Sequence, residues 1–326
     1  MNGNFSTSIQ EINEDFFYSS TSLGKILPSD KNLLEKTVKK FRPYTKNYED
    51  SWGYIIQATR YGGFKWYDHE TGALIFFGRK SDTDPTLVIP NFFATPRYLK
   101  KIISRIPKQL QAPRVILKNI NPDDVSKFTP YGFHPYRKNE GWSTGALFDD
   151  QTYPQTLIDL KQLTESKGKK YHKLRNSLRK NPHLTIRRYR KTDKAAVLEI
   201  FAFKDGNMLV TSGVEKGMYY ASHAMYPTAS LDKFVIINED THEMIGFIGF
   251  SDISPIVTIA IASIFKPEAK KFRVWCEYQI LVRKYQEGFQ IANLGGSEYE
   301  GDYHFKVWTF RPTEELEKTH LVYDLQ

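Results

Sequence analysis

Between Lys161 and Lys191 the chain carries twelve Lys/Arg against a single acid, Glu165. The segment sums to +11 in a chain of net charge +9, which leaves the remainder at −2, so the basic character is local. A concentrated field of this kind attracts polyanions such as nucleic-acid backbone, anionic head groups or phosphate-bearing cofactors. On a helix expected at about 168–180, Lys169, Lys173 and Lys180 fall near one face, with Lys170 beside them. Arg175 and Arg179 pair at i,i+4 on another face. Tyr171 and His172 add planar rings that stack on unpaired bases. Tyr171 also fits an apolar stripe with Leu174 and Leu178.

A second group lies near the C-terminus, in EGFQIANLGGSEYEGDYHFKVWTFRP (287–312). Gly295 and Gly296 end a buried-type strand, where bare backbone can approach a carbonyl or phosphate, or simply turn. Glu298, Glu300, Asp302, Tyr303 and His304 follow, any of which can recognise a substrate amine or relay a proton. Lys306 is the leading candidate for chemistry. Read as an alternating strand, HFKVWTF puts it on one face with Trp308 and Phe310, which argues against plain solvent exposure. Arg311 can hold a carboxylate or phosphate, and Asp252, closing the apolar strand 244–250, can contact an amine or cap a turn.

The elements that must position these groups are readable from periodicity and turn signals. After a polar leader (1–30), a helix is expected at 31–41, then strands at 52–59, 63–69, 73–80 and 86–92. A helix (98–110), a strand (114–120), a short helix (122–128) and a strand near 142–148 complete a first mixed unit, 31–153. A second unit, 154–326, begins with a helix at about 155–166 and the basic helix bridging the halves. It continues with a strand (184–190), helices near 194–203 and 214–225, and strands at 233–239, 244–250 and 257–265. A helix over 270–287 and a strand at 289–296 follow. The fold class expected is a mixed α/β (α+β) arrangement of two tandem units with a similar element order.

Composition bounds the chemistry. One cysteine, Cys276, permits no internal disulfide and no cysteine-based zinc cluster, which suits a reducing, cytoplasmic setting. Its apolar context, FRVWCEYQIL, reads as a small buried hydrophobe. The N-terminus lacks a secretory pattern, and no window approaches ~18 uncharged apolar residues. The eight histidines are dispersed without metal-ligand spacing, and no H-E-x-x-H, G-x-S-x-G, Walker-type loop or G-x-G-x-x-G occurs.

The basic stretch KGKKYHKLRNSLRKNPHLTIRR (167–188) and the LGG…FK run, in this order and at this separation, resemble the C-terminal domain of lysylphosphatidylglycerol synthetases and its soluble relatives. More distantly they resemble the Fem-type aminoacyltransferases, which add amino acids to peptidoglycan precursors. The resemblance implies two tandem acetyltransferase-like (GNAT) domains. It also implies that Lys306, matching the lysine of the Phe-Lys motif, lies beside the reacting carbonyl. Two departures stand out. The acetyl-CoA pyrophosphate loop, Q/R-x-x-G-x-G/A, is not visible, and the membrane-spanning half of the lysyl-lipid synthetases is missing, so a lipid acceptor is not carried over.

The leading expectation is an aminoacyl transferase drawing on aminoacyl-tRNA, with a small molecule, peptide or lipid head group as acceptor. An acyl-CoA-dependent N-acyltransferase of the same fold is the second reading. The third is a non-catalytic binder of RNA or anionic membrane, in peripheral contact without a transmembrane segment. No covalently bound cofactor is expected in any of them.

Overall fold

A computed structural model describes residues 21–59, 63–79, 86–105, 112–136, 153–179, 182–200, 231–297 and 300–325. It divides into two compact units whose sequences interleave: Tyr44–Gln57 belongs to the second unit, and Glu317–Gln326 to the first. That interleaving departs from a simple division at 153/154.

The first unit contains strands β1 (Thr21–Lys25), β2 (Gly63–Asp68), β3 (Leu74–Arg79), β4 (Leu87–Phe93), β5 (Arg114–Ile120) and β6 (His134–Pro135). Its helices are α1 (Asp30–Phe41), α3 (Pro96–Ile103) and the single turn α4 (Val125–Phe128). Helix α2 (Trp52–Ala58) lies in the Tyr44–Gln57 excursion apart from its last residue. With β14 (Thr319–Asp324) the first sheet has the order β1-β2-β3-β4-β5-β14-β6. Its neighbours are antiparallel except β4 and β5, which run parallel. Parallel neighbours need a crossover, and α3 supplies it. Thr95 caps α3 by accepting from the Tyr98 amide, Pro96 starts it, and Leu99, Ile102 and Ile103 are its buried stripe.

The second unit contains β7 (Gln155–Asp159), α5 (Leu160–Glu165), α6 (His172–Leu178), β8 (Leu184–Arg188), β9 (Asp232–Asn238), β10 (Met244–Ser254) and β11 (Val257–Phe265). Then come α7 (Arg273–Gln286), β12 (Ile291–Asn293), α8 (Glu300–Phe310) and β13 (Glu314–Leu316). The sheet order is β13-β7-β12-β11-β10-β9-β8, with β11 and β12 its parallel pair and α7 the crossover. Cys276, Ile280, Leu281 and Ala292 sit in the core beneath, each 1% exposed or less. Burying an aliphatic side chain of this size contributes roughly 1.5–3 kcal/mol.

The structure corrects several expectations. WGYIIQAT is helical rather than a strand: every residue from Ser51 to Ile56 is buried, so no period shows, and Ser51 Oγ accepts from the Tyr54 amide as a cap. A Cβ at Gly53 would stand 2.9 Å from the Ile261 side chain, so a larger residue there would have to displace it. Residues 155–159 form β7, and the helix begins only after Asp159, whose carboxylate accepts from the Gln162 amide. The basic helix is two pieces, a 3-10 turn at Lys169–Tyr171 and α6. HFKVWTF is not a strand but the body of α8, whose first turn carries Glu300 and Asp302, acids that favour a helix N-terminus. Lys180, the expected strand 142–148 and the expected helix 214–225 lie outside the described residues.

Candidate active site

The parallel ladder between β11 and β12 runs only from Val257↔Ile291 to Ile259↔Asn293. β12 then stops, while β11 continues beside β10 with a bulge between Ala260 and Ala262. Bulges of this kind re-aim side chains and frequently border active sites. The chain leaves β12 through Leu294, Gly295 and Gly296 and enters α8. A cavity of about 230 Å³ opens where the strands part. Ile248, Phe250, Ala260 and Ile261 form its sheet wall, and Tyr48, from the Tyr44–Gln57 excursion, closes one side.

The polar lining comes from two helices. On α7, Arg273, Glu277 and Leu281 recur at i,i+4,i+8 and so share a face; on α8, Asp302, Lys306 and Phe310 do the same. The Arg273 guanidinium donates to Glu277 at 2.8 Å, forms an ion pair with Asp302 at 3.8 Å, and lies 4.4 Å over the Phe305 ring. Ser263 Oγ donates to the same Glu277 carboxylate at 2.5 Å. Lys306 Nζ donates to the carbonyls of Gly296 (2.6 Å) and Gly295 (3.2 Å). The two helices thus supply two cations and two carboxylates, with the Phe305 and Phe310 rings of α8 among them.

The carbonyls that hold Lys306 are themselves fixed. Gly295 has φ +69°, and its amide donates to Asn293 Oδ1 at 2.7 Å. Asn293 Nδ2 donates to Gln155 Oε1 (2.8 Å) and to the Lys46 carbonyl (2.7 Å), and the Tyr48 amide donates to Gln155 Oε1 at 3.1 Å. Gln155 Nε2 donates in turn to the buried Glu49. Gln155 and Asn293 are fully buried, so this network fixes the loop's geometry as a unit.

Of the residues singled out in the sequence, the structure brings Lys306, Gly295, Gly296 and Asp302 together. It does not bring the others there. Asp252 accepts from Thr258 Oγ1 (2.6 Å) and pairs with the buried Lys284 (3.2 Å), outside the cavity lining. Tyr303 stacks on Tyr153 at 5.1 Å and donates to Glu315, whose carboxylate pushes the phenol pKa up. Glu298 lies outside the described residues. Arg175 donates to the carbonyls of Ser166 and Gly168, Arg311 to that of Lys170, and Lys170 to Gln162. Lys169, Lys173 and Arg179 are exposed. Tyr171 is 1% exposed and packs in the core. Lys173 Nζ lies 5.0 Å over the Trp308 ring, which stacks on His304 at 4.8 Å. Cys276 is buried, and its thiol is pushed up to about 12 chiefly by that burial, so it is not a nucleophile.

Arg273, Glu277 and Tyr48 were missed in the sequence. The i,i+4 Arg-Glu pair on an otherwise apolar helix face was the available signal. Nothing marked Tyr48, because only the fold returns its segment to the second unit. Among the described residues no cluster of three metal-binding side chains occurs, and no helix is long and apolar enough to cross a membrane.

No family profile and no curated protein matches the sequence. Solved structures do match the fold. A Bacteroides thetaiotaomicron protein of unknown function superposes with a TM-score of 0.70 at 13% identity, over 93% of this chain and 99% of that one. The lysylphosphatidylglycerol synthetase structure from Bacillus licheniformis gives 0.61 at 15% identity, over 92% of each chain. FemX gives 0.61 at 12% identity, over 93% of this chain and 97% of that one. The chain therefore has the fold that the two motifs suggested: two tandem GNAT-like units, each built on a mixed seven-stranded sheet.

Proposed function

We propose that the second unit catalyses acyl transfer in the cavity beneath α8, taking an aminoacyl group from aminoacyl-tRNA to an amine or hydroxyl acceptor. The observation that carries this is Lys306, an ammonium held by two fixed carbonyls on the wall of a cavity whose sheet side is formed by Ile248, Phe250, Ala260 and Ile261. As the acceptor adds to the ester carbonyl, negative charge develops on the carbonyl oxygen, and a fixed cation favours that state over the neutral ester. The C–O bond to the ribose then breaks, and the proton lost by the acceptor passes to the departing ribose oxygen. Asp302, 54% exposed on its side chain and 3.8 Å from Arg273, would receive an amine or relay that proton. The fold neighbours that transfer aminoacyl groups support the reading as analogy.

The donor choice favours tRNA over an acyl-CoA because of the link between β11 and α7. A CoA pyrophosphate needs bare backbone amides at the start of that helix. Here the link is a proline-led 3-10 turn, Pro267–Phe272, without glycine. The exposed lysines of 169–173, beside the Trp308–His304 stack, suit phosphates and an unpaired base instead. Such a donor places the reaction in the cytoplasm, with the acceptor a small molecule, a peptide or a lipid head group met peripherally. The test is incubation with labelled aminoacyl-tRNA and, separately, labelled acyl-CoA. Binding of charged tRNA that weakens steeply with salt, with label leaving it, is expected. Label leaving only the CoA thioester would transfer the reading to the second donor.

A further inference from the structure

The first unit has a cavity of its own, of about 370 Å³, bounded by Phe41 and Arg42 at the end of α1, Ala73 before β3, Phe93 at the end of β4, and Ala94 and Tyr98 around the start of α3. We propose that it binds a small organic monoanion, a carboxylate on an aromatic or branched apolar body. The inference stands apart from the acyl-transfer reading, since no residue is shared between the two cavities.

Arg42 supplies the charge that faces this cavity. Its guanidinium is fixed on two sides, donating to Asn91 Oδ1 at 3.3 Å and to the Phe92 carbonyl at 2.8 Å. It stacks over the Phe93 ring at 4.5 Å. A planar cation held this way offers its donors in a set plane, matching the two oxygens of a carboxylate. Lys40 reinforces the sign: its Nζ would stand 3.1 Å from a Cβ built on Gly72, on the turn leading into Ala73.

The remaining walls select the body of the ligand. Phe41, itself 46% exposed, and Phe93 approach at 6.3 Å, with Ala73 and Ala94 leaving the floor shallow and apolar. Among the described residues no acid lines the cavity. At the β2–β3 turn Glu70 is exposed, and Asp68 has its two oxygens engaged by Tyr98 Oη at 2.7 Å and by the amides of Glu70 and Thr71. Tyr98 also accepts from Trp66 Nε1 at 3.4 Å, so its ring is a fixed wall. A volume at the lower end of the small-molecule range fits one ring and a short acid.

The probe is 4-fluorophenylacetate, titrated against the full chain by fluorine NMR, with neutral 4-fluorophenylacetamide as the isostere. The carboxylate is expected to bind at least tenfold more tightly than the amide. Arg42→Gln should abolish that difference and Arg42→Lys restore part of it. Arg42 also ties α1 to β4, so Arg42→Gln can weaken the fold. Ala94→Phe, which fills the cavity without touching the Arg42 hydrogen bonds, should abolish binding with the circular dichroism unchanged. Equal binding of acid and amide, undiminished binding in Ala94→Phe, or no binding of either probe to the wild type would overturn the proposal.

Discussion

The two strand–helix–strand frames, β4–α3–β5 and β11–α7–β12, use the same three-pair parallel ladder and different filling. Each also has a residue in the left-handed region where the second strand ends, Asn119 (φ +62°) and Gly295 (φ +69°). In the first frame, Phe92 projects toward the covering helices and meets Phe128 edge-on at 5.9 Å, which in turn meets Phe133 at 5.8 Å. In the second, the helix-covered face carries the small Ala260 and Ser263 beside the cavity, and the following helix is eleven residues long and turns Lys306 and Asp302 inward. The first unit uses its parallel pair for packing and has its cavity elsewhere; the second leaves the parting of the strands open. One frame is therefore filled and the other left open as a cavity, a difference set by a few side-chain volumes rather than by topology.

The largest effect should come from undoing the plug. Phe92→Ala removes a buried ring from the first unit and is expected to cost about 3–5 kcal/mol in chemical denaturation. A loss under about 1 kcal/mol would mean that the first frame is as loosely filled as the second. Next is Asp193, in the second unit but outside the cavity lining. Arg187 donates to both its oxygens at 2.7 and 2.8 Å and holds its pKa below the ordinary carboxylate value. Its contribution is therefore fully present above that ordinary value and is lost as pH falls through the lower folded-state value. Asp193→Asn should cost ~1–3 kcal/mol at neutral pH. Its stability curve should converge on the wild type in acid, with acyl transfer per folded molecule unchanged.

Gly295→Ala probes the site's own geometry. The added Cβ would stand 3.1 Å from the Tyr48 ring at a left-handed φ, for a cost of ~1–2 kcal/mol. Because Gly295 presents one of the two carbonyls that hold Lys306, activity should fall more than stability does; an unchanged rate would detach Lys306 from that loop. The smallest effect belongs to the surface. Lys169→Glu with Lys173→Glu should leave stability within ~0.5 kcal/mol. It should flatten the salt dependence of tRNA binding by about one power of salt concentration for each phosphate that is no longer neutralised.

Strands with clean turn signals were legible in the sequence: GFKWYDH, RVILKNI, KFVIINE and VTIAIASIF all lie in strands within a residue or two of their expected limits. Two errors share one cause. WGYIIQAT is apolar all round and HFKVWTF mixes aromatic and polar residues at both spacings, so periodicity could not choose between helix and strand. The second error mattered for the site, because as a strand Lys306 would share a face with Trp308, whereas on α8 it shares one with Asp302 and Phe310 and Trp308 points to solvent, 51% exposed. Lys306 and the paired glycines, which line the cavity, were singled out from their motif. Tyr48 and the Glu49–Gln155–Asn293 network were not, since long-range folding alone joins residues more than a hundred positions apart.

In the proposed mechanism everything turns on Lys306 stabilising the transition state of acyl transfer in the second unit. The decisive experiment is single-turnover release of label from aminoacyl-tRNA, comparing wild type with Lys306→Ala at saturating enzyme. A rate lower by roughly 10²–10³ with tRNA affinity unchanged is expected. An unchanged rate in Lys306→Ala, or a loss explained wholly by weaker tRNA binding, would refute that role for Lys306.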